Sequence, residues 1–437
     1  MNLKIMLKRL WPSLTLCLLF FILLLTNIIP SINATTNVGK GLRIAVFSLL
    51  TIGLVVYSFL KKRRPNVILF SAIMVLVISS IVLSITIGNT TTIYDVTMDV
   101  SLVSRLKNIL YPLEYLIMVF GFLFVVKDEI KEKHINLHIF YYFIIAISLI
   151  ALIYSFITEW DMIVNLLTVS SPDHHAFPIK SFFENKNAYG LFMTFGVLAT
   201  IYFLLGEKKF KHQKLVLIIT LVLLCIGLLL SIFKGGIVAI ILVGIFYYVK
   251  YVINSLKNKK YLCLISLSII LILFTFIMLL LNIPQMRPEG SLFNKIFVFL
   301  DQKLWNSAID SLQIRFDMIA RSGILFTNPL CYLGFGGSLV TYQYSALGIY
   351  AMDNYFIHSF YSGGIILISI LIYLYARAFM GIKYIKDNKY KYFFLCSTIV
   401  MIICSLFENF GHLNVGIFGI LMMLFSFTPI EAIKENE

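Results

Sequence analysis

The chain has 437 residues, 60% of them hydrophobic and 13% charged, with a formal net charge of +15 at pH 7. Its charges fall between long apolar runs, which excludes a soluble fold: in hydrocarbon a run can satisfy its backbone polar groups only as a helix. The basic surplus calls for no nucleic-acid partner either, because the lysines and arginines lie in the connections between runs, where they mark topology.

Crossing about 30 Å of hydrocarbon takes about 20 apolar residues. Twelve segments meet this requirement, near 14–30, 42–60, 66–87, 108–126, 138–157, 187–206, 214–232, 234–252, 262–283, 353–379, 392–410 and 412–430. Alternate connections carry most of the basic residues. Lys4, Lys8 and Arg9 begin the series, followed by Lys61 to Arg64, then Lys127, Lys131 and Lys133, then Lys208, Lys209, Lys211 and Lys214. It continues through Lys250, Lys257, Lys259 and Lys260 to Arg377, Lys383, Lys386, Lys389 and Lys391, and closes at Lys434. The positive-inside rule then makes both termini cytoplasmic and places Thr158 to Lys186 and Ile283 to Met352 outside.

The expected architecture is all-α: one polytopic membrane domain over residues 1–437, with an extracytoplasmic loop over 283–352 between the ninth and tenth spans. The first span follows basic residues as a signal peptide would, but lacks a small-residue cleavage site and reads as an uncleaved anchor. Cys17, Cys225, Cys263, Cys396 and Cys404 lie in apolar spans, leaving Cys331 as the lone, exposed loop cysteine, with no partner for a disulfide. No spacing suggests a metal site. No internal repeat of the kind found in symmetric transporters is present, and most unusual polar residues gather at outer helix ends. That asymmetry favours chemistry at the outer surface over carriage through the membrane.

Four outer clusters carry the candidates. Phe182 to Gly190 contains Glu184, Asn185, Lys186 and Asn187 at the entry to the sixth span, where they suit sugar hydroxyls or serve as ordinary capping residues. Ser231-Ile232-Phe233-Lys234-Gly235-Gly236 sets a cation beside backbone that a phosphate can approach, or is a tight turn with a snorkelling lysine. In the long loop, Arg287, Arg315, Asp317 and Arg321 offer guanidinium groups for phosphate or a solvated face; Arg315 and Arg321, six apart, fall on different sides of a helix. Gly334-Phe335-Gly336-Gly337 precedes Asp353-Asn354-Tyr355-Phe356-Ile357-His358 and then Gly363-Gly364. His358 lies one turn after Asn354, placed to take a proton near neutral pH or to act as a structural hydrogen-bonding group. Glu408, Asn409 and His412 form a similar polar group in apolar sequence.

Taken in order, the Asn-rich helix entry, the S-x-x-K-G-G turn, the late loop with R-F-D-M-I-A-R, the G-F-G-G turn and the D-N-Y-F helix start resemble the O-antigen polymerase and O-antigen ligase family over roughly residues 180–430. The resemblance implies a bacterial plasma-membrane glycosyltransferase that needs no metal and no cofactor. It would move an oligosaccharide from undecaprenyl diphosphate to an acceptor sugar hydroxyl outside the membrane. It implies Lys234 and Arg315 as basic residues for the diphosphate and Asn354 at the helix start. Asp353 stands where ligases show histidine, which makes it a rival to His358 as base and tilts the reading to polymerase over ligase. Lys234, Arg287, Arg321, Asn354, Glu184, Asn185, Asn187 and Glu408 are the expected substrate contacts; His358, Asp353 and Arg315 are the expected catalytic set. The lipid-linked oligosaccharide and the bilayer are the expected partners, with room for a chain-length regulator. A precursor flippase or transporter, and a sensor or scaffold subunit, are the other classes with such a span count.

Overall fold

A computed structural model of the chain describes residues 137–169, 179–183, 186–206, 212–257, 315–334, 347–349, 352, 354–383, 385 and 388–407, paired strands at 90–93 and 96–99, and scattered helical positions at 56–82 and 265–276. The expected spans at 14–30, 108–126 and 412–430 lie outside the described residues, as do Arg287, Glu184, Asn185, Asp353, Glu408, Asn409 and His412.

The described elements, in order, are strands β1 (Thr90–Ile93) and β2 (Val96–Asp99) and helices α1 (Leu137–Thr158), α2 (Trp160–Thr168), α3 (Lys186–Leu205), α4 (Gln213–Ser231), α5 (Lys234–Lys257), α6 (Tyr355–Ile382) and α7 (Asn388–Phe407). Helical residues at 315–322, which belong to the loop helix, and two 3-10 turns, Gly323–Thr327 and Pro329–Tyr332, precede α6. Five helices, α1, α3, α4, α5 and α6, are long and apolar enough to cross a membrane, and α7 holds a shorter apolar stretch, Tyr390–Leu406. Apart from one small antiparallel pair, with Thr90 opposite Asp99 and Ile93 opposite Val96, the described elements are helical, in line with the all-α expectation. The pair's run of threonine, isoleucine and valine is β-branched, which suits a pleated strand better than a helix.

Helix α3 is the centre of the bundle. Every residue from Ala188 to Thr200 is buried, and α1, α4, α5 and α7 all pack against it. A helix that is apolar on all sides has this position open to it. By contrast α5 exposes Val238, Ile241, Leu242, Ile245 and Val249, a stripe at helical spacing that faces lipid in a membrane-spanning chain.

Close packing around α3 depends on small residues, as it does wherever lipid gives no hydrophobic reason for helices to associate. A Cβ on Gly196 would come within 2.6 Å of Ser148 Oγ, and one on Gly227 within 2.9 Å of Met193 Sδ. Buried serine and threonine hydroxyls along α1 and α3 bond backbone carbonyls. Thr194 and Thr200 donate to the carbonyls of Gly190 and Gly196 at 2.9 and 2.8 Å, and Ser148 donates to Ile144 O at 2.8 Å with Phe192 O on the neighbouring helix at 3.4 Å.

The two ends of the bundle differ in chemistry. One end, where α3 finishes and α7 starts, is an aromatic collar: Tyr202 lies against Tyr141, Tyr390 and Phe393, Tyr142 stacks on Phe203 at 4.0 Å, and Lys250 Nζ sits 3.5 Å above the Tyr392 ring. This is the end that the lysine-rich connections at 207–214 and 383–391 join. The opposite end holds the starts of α3, α5 and α6.

Gly190 is the tightest of these small-residue contacts, because an added Cβ would run into both Ser231 Oγ and Phe233 Cβ. Neither neighbour is the far end of a flexible chain. Gly190→Ala is expected to cost about 1–3 kcal/mol of stability, read as a lower thermal midpoint in detergent, whereas Gly244→Ala, with open space around it, should leave the midpoint unchanged.

Candidate functional site

The candidate site begins with the turn between α4 and α5. Ile232 caps α4 with φ 54° and ψ 29°, a left-handed conformation that a β-branched residue seldom adopts. Ser231 holds the turn closed: its Oγ donates to Leu228 O at 2.6 Å and accepts from Phe233 N at 3.2 Å. Two residues therefore suffice to reverse the chain, and α5 starts at once with Lys234. Gly235 and Gly236 are buried, and a Cβ on Gly236 would meet Thr194 Oγ1 and the Phe233 ring. With Gly190 pressed on the same turn, the first turns of α3 and α5 lie side by side.

Both helices open on a lysine. The charges that act on Lys234, among the described residues, are those of Arg315 from the loop helix and of Lys186 from the start of α3. Lys234 thus lies within electrostatic reach of two further cations, and it and Lys186 each open a helix whose N-terminus already carries a partial positive charge. Such a group of like charges opposes its own assembly, and an anion that bridges it reverses the sign of the interaction.

What brings Arg315 there is the docking of the long loop on α6. Asn354 caps α6, accepting from Ile357 N at 3.0 Å, while its Nδ2 donates to Leu406 O at 3.3 Å, which ties the start of α6 to the end of α7. Seven residues on, Tyr361 Oη donates to Ser322 O at 2.8 Å. A second small core fills the space between: Leu325, Cys331, Ile349, Met352 and Tyr361 are buried together, and Phe326 packs on both Phe360 and Tyr361. Farther along, α6 is broken at Gly364, where φ is 63° and ψ −158°. Gly334, at φ 89°, fits against this break so closely that a Cβ on it would lie 2.5 Å from Gly364 N, and a Cβ on Gly364 would strike Tyr332 O. Only glycine tolerates both the conformation and the approach.

Of the residues singled out in the sequence, the structure joins Lys234 and Arg315. Asn187 is half-buried in the first turn of the same α3, and Asn354 acts as a helix cap and interhelical tie. His358, 6% exposed, lies one turn beyond Asn354, its backbone N–H bonded to Asn354 O at 3.0 Å. Arg321 is exposed and sits beside the turn at Gly348, where a Cβ would be 3.8 Å from its Nη1, so the two loop arginines are held in different surroundings. Cys331 corrects the expectation of an exposed thiol: it is fully buried in the second core, and burial pushes its thiol above the usual range.

Two contributions escaped the sequence reading. Lys186 counted only as one of several polar residues at a helix entry, although a lysine opening an apolar span, like Lys234, was the signal. Glu159 drew no notice, yet its carboxylate accepts from Ser181 N at 2.9 Å and Lys180 N at 3.3 Å, clamping the segment that leads into α3. Within that segment Ser181 has φ 56° and donates to Ala151 O at 2.8 Å. Compared with known proteins, the chain matches no family model and no curated protein.

Loop docking can be read through Cys331. Tyr361→Phe removes the hydrogen bond to Ser322 O, a loss of about 1 kcal/mol, so labelling of Cys331 by a water-soluble maleimide is expected to speed up roughly fivefold through more frequent opening. Gly364→Ala should speed it further, and the thiols within the spans should stay unchanged.

Proposed function

We propose that the protein is a membrane glycosyltransferase that polymerises oligosaccharide repeat units. It transfers the growing glycan from undecaprenyl diphosphate to a lipid-linked acceptor on the outer face of a bacterial plasma membrane, and both of its termini are cytoplasmic. The observation that carries this reading is that Lys234, at the start of α5, lies within electrostatic reach of Lys186, at the start of α3, and of Arg315 from the loop, at the end of the bundle opposite the lysine-rich connections. A diphosphate at the head of a lipid is an anion found at that depth, and two helix starts with three cations suit its two phosphate groups.

In this scheme the acceptor hydroxyl oxygen forms a bond to the anomeric carbon while the bond from that carbon to the phosphate oxygen breaks. Undecaprenyl diphosphate leaves with the electron pair, and Lys186, Lys234 and Arg315 stabilise the charge that develops on it. The hydroxyl proton passes to a base, for which His358 and Asp353 remain the candidates. No metal is required, because fixed cations supply the electrostatic stabilisation. Asn187 and the neighbouring Glu184 and Asn185 supply donors and acceptors to sugar hydroxyls, and Glu408 and Arg287 are further candidates for substrate contact. The loop docked on α6 would hold Arg315 at the position where charge appears, so that positioning contributes along with charge.

Arg315→Ala is expected to lower turnover of purified protein on lipid-linked oligosaccharide by about two to three orders of magnitude, with the thermal midpoint unchanged, and Arg315→Lys should recover part of it. Lys234→Ala should act in the same direction. Product length decides the class: longer chains identify a polymerase, transfer to a different acceptor a ligase, and transbilayer movement without covalent change a carrier. Wild-type turnover in Arg315→Ala would overturn the leaving-group role.

A further inference from the structure

Helix α2 has no part in the proposed chemistry, and it lies in the segment Thr158 to Lys186, expected to lie outside the membrane. Eight of its nine residues fall into three sectors, and the ninth, Met162, is 42% exposed on the flank opposite Trp160. Ile163 and Leu166 are buried, and α2 packs back on α1 through this side. Asp161, Asn165 and Thr168 are exposed and follow one another at helical spacing on a polar side. Between the two runs an apolar flank of Trp160, Val164 and Leu167, with Trp160 54% exposed. Helix α2 is too short to cross a bilayer, and a helix that is polar on one side and apolar on another has its free-energy minimum lying in the boundary plane.

The apolar flank is continuous with a surface already assigned to lipid. On α1, Ile150, Ile153, Tyr154 and Ile157 are exposed along a span long enough to cross the membrane, and Ile157 is 75% exposed in the last turn. Only Glu159 separates α1 from α2, and the Phe156 ring lies 6.2 Å from that of Trp160. Apolar surface thus runs from the lipid-facing side of α1 onto the flank of α2 through paired aromatic rings, and aromatic residues of this kind concentrate where headgroups meet acyl chains.

We infer that α2 is an interfacial helix, lying in the plane of the outer membrane surface with Trp160, Val164 and Leu167 in the headgroup–acyl boundary and Asp161, Asn165 and Thr168 toward water. The occupant of its apolar flank is phospholipid. Glu159, at the junction, bonds the backbone of Lys180 and Ser181 just before α3 begins. The boundary plane that α2 marks therefore passes close to Lys186, at the level of the three-cation group. This placement stands on the residues of α1 and α2 alone, whatever the anion bound nearby.

The test uses full-length protein reconstituted in phosphatidylcholine and phosphatidylglycerol bilayers, with lipid brominated either near the headgroup or near the chain end. Emission lost in W160F isolates Trp160 from the other two tryptophans, Trp11 and Trp305. Quenching of that share is expected to be roughly twofold stronger with bromine near the headgroup, the depth at which interfacial helices lie. In N165W/W160F the fluorophore moves to the polar side and should be quenched by aqueous iodide and little by either lipid. Equal iodide quenching at both positions would place α2 in water and overturn the inference; equal quenching by chain-end bromine at both would place it inside the hydrocarbon and overturn it as well.

Discussion

Two membrane helices can begin side by side only where nothing bulky stands between their first turns. Here that condition is met by Gly190, whose missing Cβ leaves room for Ser231 and Phe233. Because of it, a reversal of two residues after α4 delivers Lys234 next to the start of α3 and hence next to Lys186. The rest of the described outer end follows from this approach. A larger residue at 190 would separate the helix starts and with them the charges, so a packing contact fixes the electrostatics.

The third cation arrives by a different route. Arg315 belongs to a loop whose chain neighbours lie far along the sequence, and its place is set by backbone fitting against backbone, Gly334 on the break at Gly364, and by Tyr361 holding Ser322. A helix interrupted inside a span leaves backbone groups unpaired, which apolar surroundings tolerate only where protein covers them. The docked loop provides that cover. Loop and broken helix therefore stabilise each other, and the position of Arg315 depends on the contact between Gly334 and Gly364.

The helices were legible in the sequence because lipid imposes a length and an apolar content that few other constraints blur. Spans read as 187–206, 214–232 and 392–410 became Lys186–Leu205, Gln213–Ser231 and Asn388–Phe407. The site was legible only in part. Lys234 and Arg315 stood out by residue type, but the pairing of Lys186 with them depends on Gly190, and a glycine inside an apolar run gives no sign of what it faces. Arg315 and Arg321 looked alike in composition and diverged in structure, because six residues of helix turn them to different sides. Helix α2 was missed since nine residues are too few for periodicity to show above a loop, and Cys331 was misjudged because a loop with its own core hides side chains that composition assigns to solvent.

The position of charge in the described spans also supports the proposed surface chemistry over carriage. A carrier coupled to protons or sodium ions uses carboxylates in the middle of its spans, since the coupling ion must bind there and change the local charge. Among the described spans α1, α3, α4, α5 and α6 there is no aspartate or glutamate at all, and two of the three cations, Lys186 and Lys234, stand at first residues of helices. An ion carried across would find no carboxylate along these helices, whereas an anion anchored in the membrane by its own lipid would meet the cations without leaving the surface. Under the proposed function such a ligand would reach the site by diffusing in the bilayer plane, so the reacting group would need no path through the protein, and the end of the bundle would be where a site for it belongs.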